Sequence, residues 1–504
     1  MIRYFRSRIH KITWIVILAG FVILGLGIRL YDLTDPPLDF HPTRQLQMAI
    51  IARGIYYQMS PTLEARDRQI AISIGNSMGV YEPRLIETLL ALTYRLMGGE
   101  HLWVARIYTS LFWLIGGLAL FALAWRMTSA AGALVALAFY LFLPFSVFAS
   151  RSLLPDPGMV MWIILAAYSF YRWAETQKWK WALLAGITSG MAVLVKVTAA
   201  SLIAGMAVAG VLSVIGFKRC YKNPQVWAMA VLMIIPAGYY YLYRMENRVP
   251  GLVMNWTVAL FHLFIDPSFY ARWINLLGNV IGITVLFLGI TGVLISKPLN
   301  RVVLIGLWIG YLIYGFIFPH QITTHSYYSL LLVPILALSL APLGTLILGQ
   351  LSQQHLVWRV LFACAILVVF IHQFWYSYSI LAGQDYHDVP AYWQAIGKKL
   401  PAQGKIIAVT QEYGYYVEYY GWRKVSLWPS PANRIYAEQR GKRQKDFLKQ
   451  FLSQTEGKDY FLITAFEQLN KEPLLKATLN DHYPVHSKGE GYLVYDLVHP
   501  LSPP

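Results

Sequence analysis

The chain is poor in charge and nearly without cysteine. Only 13% of its 504 residues are Asp, Glu, Lys or Arg, roughly half the share usual in a soluble domain. Its two cysteines, Cys220 and Cys364, exclude a disulfide framework. Neither stands near a His or carboxylate at metal-ligand spacing. Acid is scarce, with 25 Asp+Glu against 42 Lys+Arg and a net charge of +17. A Gly-rich phosphate loop, a Ser-His-Asp arrangement, an internal repeat and a low-complexity tract are all missing. What is present is apolar, 57% hydrophobic and 15% aromatic. This balance excludes a disordered chain and an ordinary soluble globule. It points to a polytopic α-helical membrane protein.

The N-terminus carries Arg3, Arg6, Arg8 and Lys11 before an apolar run, residues 12–30. The run is long enough to cross a bilayer and too long for a signal-peptide core, so it reads as an uncleaved first span. Ten more runs follow, over 104–125, 130–149, 158–173, 181–195, 197–216, 226–242, 276–295, 302–318, 330–348 and 360–380. The expectation is about 11 transmembrane helices, within a range of 11 to 13. With the N-terminus inside, the inner loops hold Lys178, Lys180, Lys218, Arg219, Lys222, Lys297 and Arg301, with Glu175 as their one acid. That is the positive-inside bias, and it explains most of the basic excess without nucleic acid. On the outer side up to Gly383, every basic residue except Lys196 is Arg. A planar Arg fork suits phosphate or carboxylate, and interfacial packing is the plain alternative.

Residues 1–383 thus read as a transmembrane domain and 384–504 as a small soluble α/β domain. The odd span count places that domain outside the cytoplasm, on a plasma-membrane protein with its N-terminus in the cytoplasm. Strand-like segments cover 405–410, 424–427, 460–464 and 492–497, and helix-like ones 391–400, 443–454 and 472–479. Within this region Glu412 to Gly421 is rich in tyrosine. It fits a helix packed on the domain core, or exposed rings that stack on sugars. Arg440 to Lys445 reads as a solvated helix start.

The outer loop 31–103 is too long to be filler. Leu46, Met48, Ile50, Ile51, Ile55 and Tyr56 recur at helical spacing, as do Leu85, Ile86, Leu89, Leu90, Leu92, Leu96 and Met97. Two juxtamembrane helices are expected, either in the interface plane or as the core of an outer domain. The loop also sets acids beside bases, in Asp39-Phe40-His41-Pro42-Thr43-Arg44 and in Tyr81-Glu82-Pro83-Arg84-Leu85. Further on stand Ser150-Arg151 with Pro155-Asp156-Pro157, Lys196 at a span end, and His325-Ser326-Tyr327-Tyr328. Each has a plain reading. Asp156 caps a helix, Lys196 snorkels, and His325, Tyr327 and Tyr328 belong to an interfacial belt.

In their order and shared outer placement, these motifs resemble the GT-C glycosyltransferases. The nearest branch is the bacterial one akin to protein O-mannosyltransferases and the lipid A aminoarabinose transferase. The resemblance covers roughly residues 12–345. Many relatives carry Asp-Glu in the first loop with Arg three residues after the Asp. Here Arg44 matches, His41 stands three before it and Asp39 two further back. Relatives with Lys before the paired Pro differ too, because this chain has Glu82-Pro83-Arg84.

The resemblance implies a membrane glycosyltransferase that moves a sugar from a polyprenyl-phosphate donor to an acceptor hydroxyl on the outer face. The acceptor would be a lipid, glycan or protein of the cell envelope. It assigns the phosphate to Lys196, Arg44, Arg84 and Arg151, with Glu82, His325, Tyr327 and Tyr328 also at the substrate. Asp39 is the first choice of base for the hydroxyl, followed by Asp156 and His41. Direct displacement at the anomeric carbon inverts it. The sequence assigns no cofactor, and a divalent metal stays open, with Glu82 and His262, His320 or His325 as its candidate set. Two other classes compete: a transporter or flippase of lipid-linked saccharides, and an inactive scaffold of an envelope assembly complex. Transporters place polar groups at mid-membrane, often in inverted repeats, whereas the acids here gather on one outer side.

Overall fold

The computed structural model describes residues 2–245, 249–401, 403–441 and 446–503. The basic stretch Lys442–Lys445, the centre of the expected solvated helix start, lies outside them. The chain divides into two compact units. One comprises Met1–Leu33, Tyr81–Pro83 and Ala105–Gln384, the other Thr34–Val80, Arg84–Val104 and Asp385–Pro504.

The first unit is helical. Among the described residues six helices are long and apolar enough to cross a membrane: Trp103–Met127, Val197–Val214, Pro224–Arg244, Pro298–Ile317, Ser326–Leu351 and Leu356–Ala382. The number reaches 8 if each of two bent pairs is one span. By length and composition among the described residues, these are fewer than the 11 apolar runs of the sequence, several of which form shorter or bent helices. Three of the remaining apolar helices, Trp14–Leu30, Trp179–Val195 and Val253–Ile265, are shorter. The expected span 130–149 is broken after Phe142 and bends by 60°, because Pro144 cannot donate the helical hydrogen bond. The expected span 276–295 bends by 93° between Val280 and Ile283. There Gly282 takes φ 97°, a conformation open to glycine and costly to other residues.

This is a multi-pass membrane protein. Helix Leu356–Ala382 has none of its apolar window buried, and Ile366, Leu367, Val368 and Val369 are all exposed. In water such a surface would be untenable, but in lipid it is the expected one. Helix association within the unit uses small residues. A Cβ on Gly306 would stand 2.6 Å from the Gly205 carbonyl oxygen, and one on Gly310 2.6 Å from that of Ser201. The helices Ala200–Val214 and Pro298–Ile317 therefore touch backbone to backbone.

The second unit holds the sheet. Its strands are β1 (Ile406–Val409), β2 (Val425–Leu427), β3 (Tyr460–Ile463), β4 (Val485–Gly489) and β5 (Tyr492–Asp496), in the order β2-β1-β3-β5-β4. β1 runs parallel to β2 and β3, and β5 runs antiparallel to β3 and β4. Four of these strands fall on the strand-like segments. β4 was not expected, because its Val485-His486-Ser487-Lys488-Gly489 is polar and mostly exposed. Beneath the sheet Ile407, Phe451, Phe461, Leu475, Leu479 and Trp428 form a closed core.

The loop helix Pro42–Gln58 belongs to this unit and is buried along most of its length, Leu46, Ala49, Ile50 and Ala52 included. It is a core helix, which settles that alternative against the interface plane. Helix Leu85–Met97 instead exposes Leu85, Leu92, Leu96 and Met97 along one side. Arg53 ties Pro42–Gln58 to the C-terminal segment. Its Nε donates to both Glu100 oxygens at 3.0 and 2.9 Å. Its guanidinium also lies 3.7 Å from the Tyr419 ring centre and 4.3 Å from that of Trp422.

Candidate active site

In the helical unit one ion pair is sealed inside. Asp156 opens helix Asp156–Thr176, between Pro155 and Pro157. Lys196 stands at the break after Trp179–Val195, with extended backbone at φ −155° and ψ 121°. The two expected spans that abut at this residue are therefore separated by one non-helical residue, which turns its side chain inward. Lys196 Nζ lies 2.9 and 3.0 Å from the two Asp156 oxygens. Relative exposures are 3% for Lys196 and 1% for Asp156. Asp156 is the first residue of its helix rather than the N-cap, which is Pro155, and Lys196 is buried rather than snorkelling to solvent. An ion pair this deep in a membrane-spanning unit needs its partner and a reason to exist.

The late motif closes around the same ammonium. The Tyr327 and Tyr328 ring centres lie 5.1 and 4.8 Å from Lys196 Nζ, within cation–π range. The His325 ring sits 5.6 Å from Tyr327 and 6.1 Å from Tyr328, and its Nδ1 meets the Thr324 hydroxyl at 2.7 Å. Tyr314 stacks on Tyr328 at 5.9 Å. Sequence reasoning missed Tyr314, because a tyrosine in an apolar run has no periodic or motif signal. The structure thus brings together Asp156, Lys196, His325, Tyr327 and Tyr328, which lie up to 172 positions apart in the chain.

Arg151 is placed differently. It is 1% exposed, and its Nη2 donates to the Tyr31 and Asp32 carbonyls at 2.8 and 3.2 Å. Arg106 Nη1 donates to the same Asp32 carbonyl at 2.8 Å, and Arg29 holds the Ser150 hydroxyl at 2.7 Å. Such cations at the C-terminal end of helix Ile2–Leu30 satisfy carbonyls left without intrahelical partners. Glu82, in this unit, is half-buried, and its carbonyl accepts from the Tyr240 hydroxyl at 3.2 Å.

The remaining candidates lie in the second unit. Asp39 accepts from Gln45 Nε2 at 3.3 Å. Arg44 Nη1 donates to Gln47 Oε1 at 2.6 Å. Arg84 immediately precedes helix Leu85–Met97. His41 takes left-handed backbone at φ 49° and packs its ring edge-on to Phe40 at 4.6 Å. Burial pushes its pKa down to about 4. The imidazole is then neutral near pH 7 and a poor base, well below the basicity that suits a general base there. Among the described residues, no group of three close His, Cys, Asp or Glu ligand atoms includes Glu82, His262, His320 or His325.

Residues 82–241 match the sequence model of the family described as dolichyl-phosphate-mannose-protein mannosyltransferase. No curated protein sequence matches the chain. Among solved structures, the chain resembles ArnT from Cupriavidus metallidurans bound to undecaprenyl phosphate. The TM-score is 0.59 at 15% identity, over 96% of this chain and 98% of that one. It also resembles the archaeal oligosaccharyltransferase AglB from Archaeoglobus fulgidus in complex with an inhibitory peptide and a dolichol-phosphate. There the TM-score is 0.54 at 13% identity, over 95% of this chain and 74% of that one. The fold is thus that of the GT-C membrane glycosyltransferases. Residues 82–241, the stretch that the family model matches, contain Asp156 and Lys196.

Proposed function

We propose that the protein transfers a sugar from a polyprenyl-phosphate donor to an acceptor hydroxyl on the outer face of the membrane, with inversion. The product would belong to the glycans, lipids or proteins of the cell envelope. The observation that carries this reading is the sealed Asp156–Lys196 pair, which lies within the family-matched residues 82–241, under Tyr327 and Tyr328. An ammonium has three N–H donors. Asp156 takes two and fixes the nitrogen, and the third is the one a phosphate oxygen would accept. Undecaprenyl phosphate and dolichol-phosphate in the structural neighbours support this class of ligand.

In the reaction the acceptor oxygen attacks the anomeric carbon, and the bond from that carbon to the phosphate oxygen breaks. Lys196 stabilises the departing phosphate as its charge grows. The acceptor proton goes to a carboxylate. The motif makes Asp39 the first choice for that role, ahead of Asp156, which Lys196 engages, and His41, which burial makes a weak base. No step is assigned to a metal. The reading places the N-terminus in the cytoplasm and residues 384–504 outside.

The test is donor consumption in proteoliposomes. A mixture of polyprenyl-phosphate sugars is supplied with a crude envelope acceptor and followed by mass spectrometry. One donor should disappear with the wild type and persist with Asp39→Asn and with Lys196→Ala. Consumption by Asp39→Asn at the wild-type rate would remove Asp39 as base. No consumption by folded wild type would overturn the reaction and favour transport or a scaffold.

A further inference from the structure

A cavity of about 840 Å³ opens in the second unit at the carboxyl ends of the three parallel strands, lined by Thr410, Leu427 and Thr464. The chain leaves β1 for β2 on one side, then returns through helices Pro431–Gln439 and Phe447–Thr455 to β3 on the other. Such a reversal of connection direction leaves a crevice beyond the strand ends, the usual place for a ligand in open α/β sheets. The volume is that of a small-molecule site.

Its walls are built rather than loose. The buried Thr464 hydroxyl lies 2.7 Å from the Thr410 hydroxyl and 2.8 Å from Gln411 Oε1, and Gln411 Nε2 donates to the Thr464 carbonyl at 3.1 Å. Next come Glu412 and Tyr413, two successive non-glycine residues in left-handed backbone at φ 46° and 55°. Each costs of order 1 kcal/mol and persists where surroundings hold it. Glu412 is held by the Thr43 hydroxyl.

The lining selects among ligands. Glu412 and Glu467 outnumber the single cation Lys471, which disfavours a phosphate or carboxylate. Hydroxyls and amides disfavour an apolar guest. Two rings remain exposed at the cavity, Tyr413 at 44% and Phe466 at 40%. Flat rings beside carboxylates and amides match the two faces of a sugar, its C–H surface and its adjacent hydroxyls. A second cavity of about 600 Å³ shares Asn433 and Lys471 with the first. It is walled by Arg434, whose Nη2 and Nη1 donate to Glu472 at 2.6 and 3.1 Å. We propose that this pair of cavities is an oligosaccharide-binding site of the second unit. As the seat of the acceptor glycan it rests on the transfer reading above. Binding is measured without donor, so the two can fail separately.

The full chain in lipid nanodiscs would be mixed with neutral tetrasaccharides of glucose, mannose or N-acetylglucosamine and read by saturation-transfer difference NMR. At least one should receive saturation on its ring C–H protons. Binding should weaken about three- to tenfold in Phe466→Ala and in Tyr413→Ala, the scale of one lost aromatic contact. Glu467→Gln should weaken it without changing the unfolding midpoint. Phe466→Ala removes an exposed ring, so the test survives misfolding of the Tyr413 variant. No transfer to any saccharide would overturn the proposal. So would undiminished transfer in Phe466→Ala and Glu467→Gln, or displacement of the sugar by an unglycosylated Ser/Thr peptide.

Discussion

Replacing either member of the Asp156–Lys196 pair separates its structural role from its chemical one. The side chains are 2% and 4% exposed. Lys196→Met leaves a buried carboxylate without its cation, and Asp156→Leu leaves the reverse. Each should cost about 3–5 kcal/mol, the usual penalty for an uncompensated buried charge. The double variant removes both charges and fills the space with apolar atoms, so most of that loss should return. On the proposed reading donor consumption should not return, because Lys196 is there the cation that holds the phosphate. The assay is a double-mutant cycle on purified protein in detergent, with the unfolding midpoint followed by tryptophan fluorescence and donor consumption by mass spectrometry. Thiol-reactive dyes are unsuitable, since Cys220 and Cys364 are not buried in the native state. Single variants that each cost under about 1 kcal/mol, as exposed pairs do, would refute the burial argument. A stable double variant that still consumes donor would refute the chemical role.

Three further outcomes follow from the second unit. Burial lowers His41 from 6.5 to about 4, so the unfolded chain binds the extra proton between those values and stability falls as pH drops through that window. The loss is at most about 3 kcal/mol, and His41→Gln should flatten the profile in a pH series of unfolding midpoints. Burial raises Glu418 from 4.5 to about 8, so here the folded state holds the proton. Stability should fall as pH rises from about 4.5 to 8, by at most about 5 kcal/mol, and Glu418→Gln should remove the decline in the same series. Arg53→Lys should destabilise the protein nearly as much as Arg53→Ala, because an ammonium cannot lie flat over Tyr419 and Trp422 while it holds both Glu100 and the Tyr419 carbonyl. Limited proteolysis of the second unit checks this, and resistance equal to wild type in Arg53→Lys would contradict it.

Composition and charge placement alone determined that the chain crosses a membrane many times, since apolar runs and loop lysines are local properties of the sequence. The family resemblance, and the residues Asp156, Lys196, His325, Tyr327 and Tyr328 as a set worth examining, were legible from motif order. Four of the five strands were legible as short β-branched or aromatic runs, and β4 was not, because a polar edge strand depends on its neighbour rather than on its own residues. Tertiary structure decided the rest. Only in the fold does Lys196 meet Asp156, 40 positions away, and so become a buried pair rather than a snorkelling end. The fold also commits Arg151 to the carbonyls of Tyr31 and Asp32, and bends two expected spans at Pro144 and Gly282. It places Pro42–Gln58 in the core of the second unit through Arg53. Burial and partner choice come from atoms distant in sequence. The same Asp, Lys or Arg that is a cap or an anchor in isolation therefore becomes a site or a strut only where the chain encloses it.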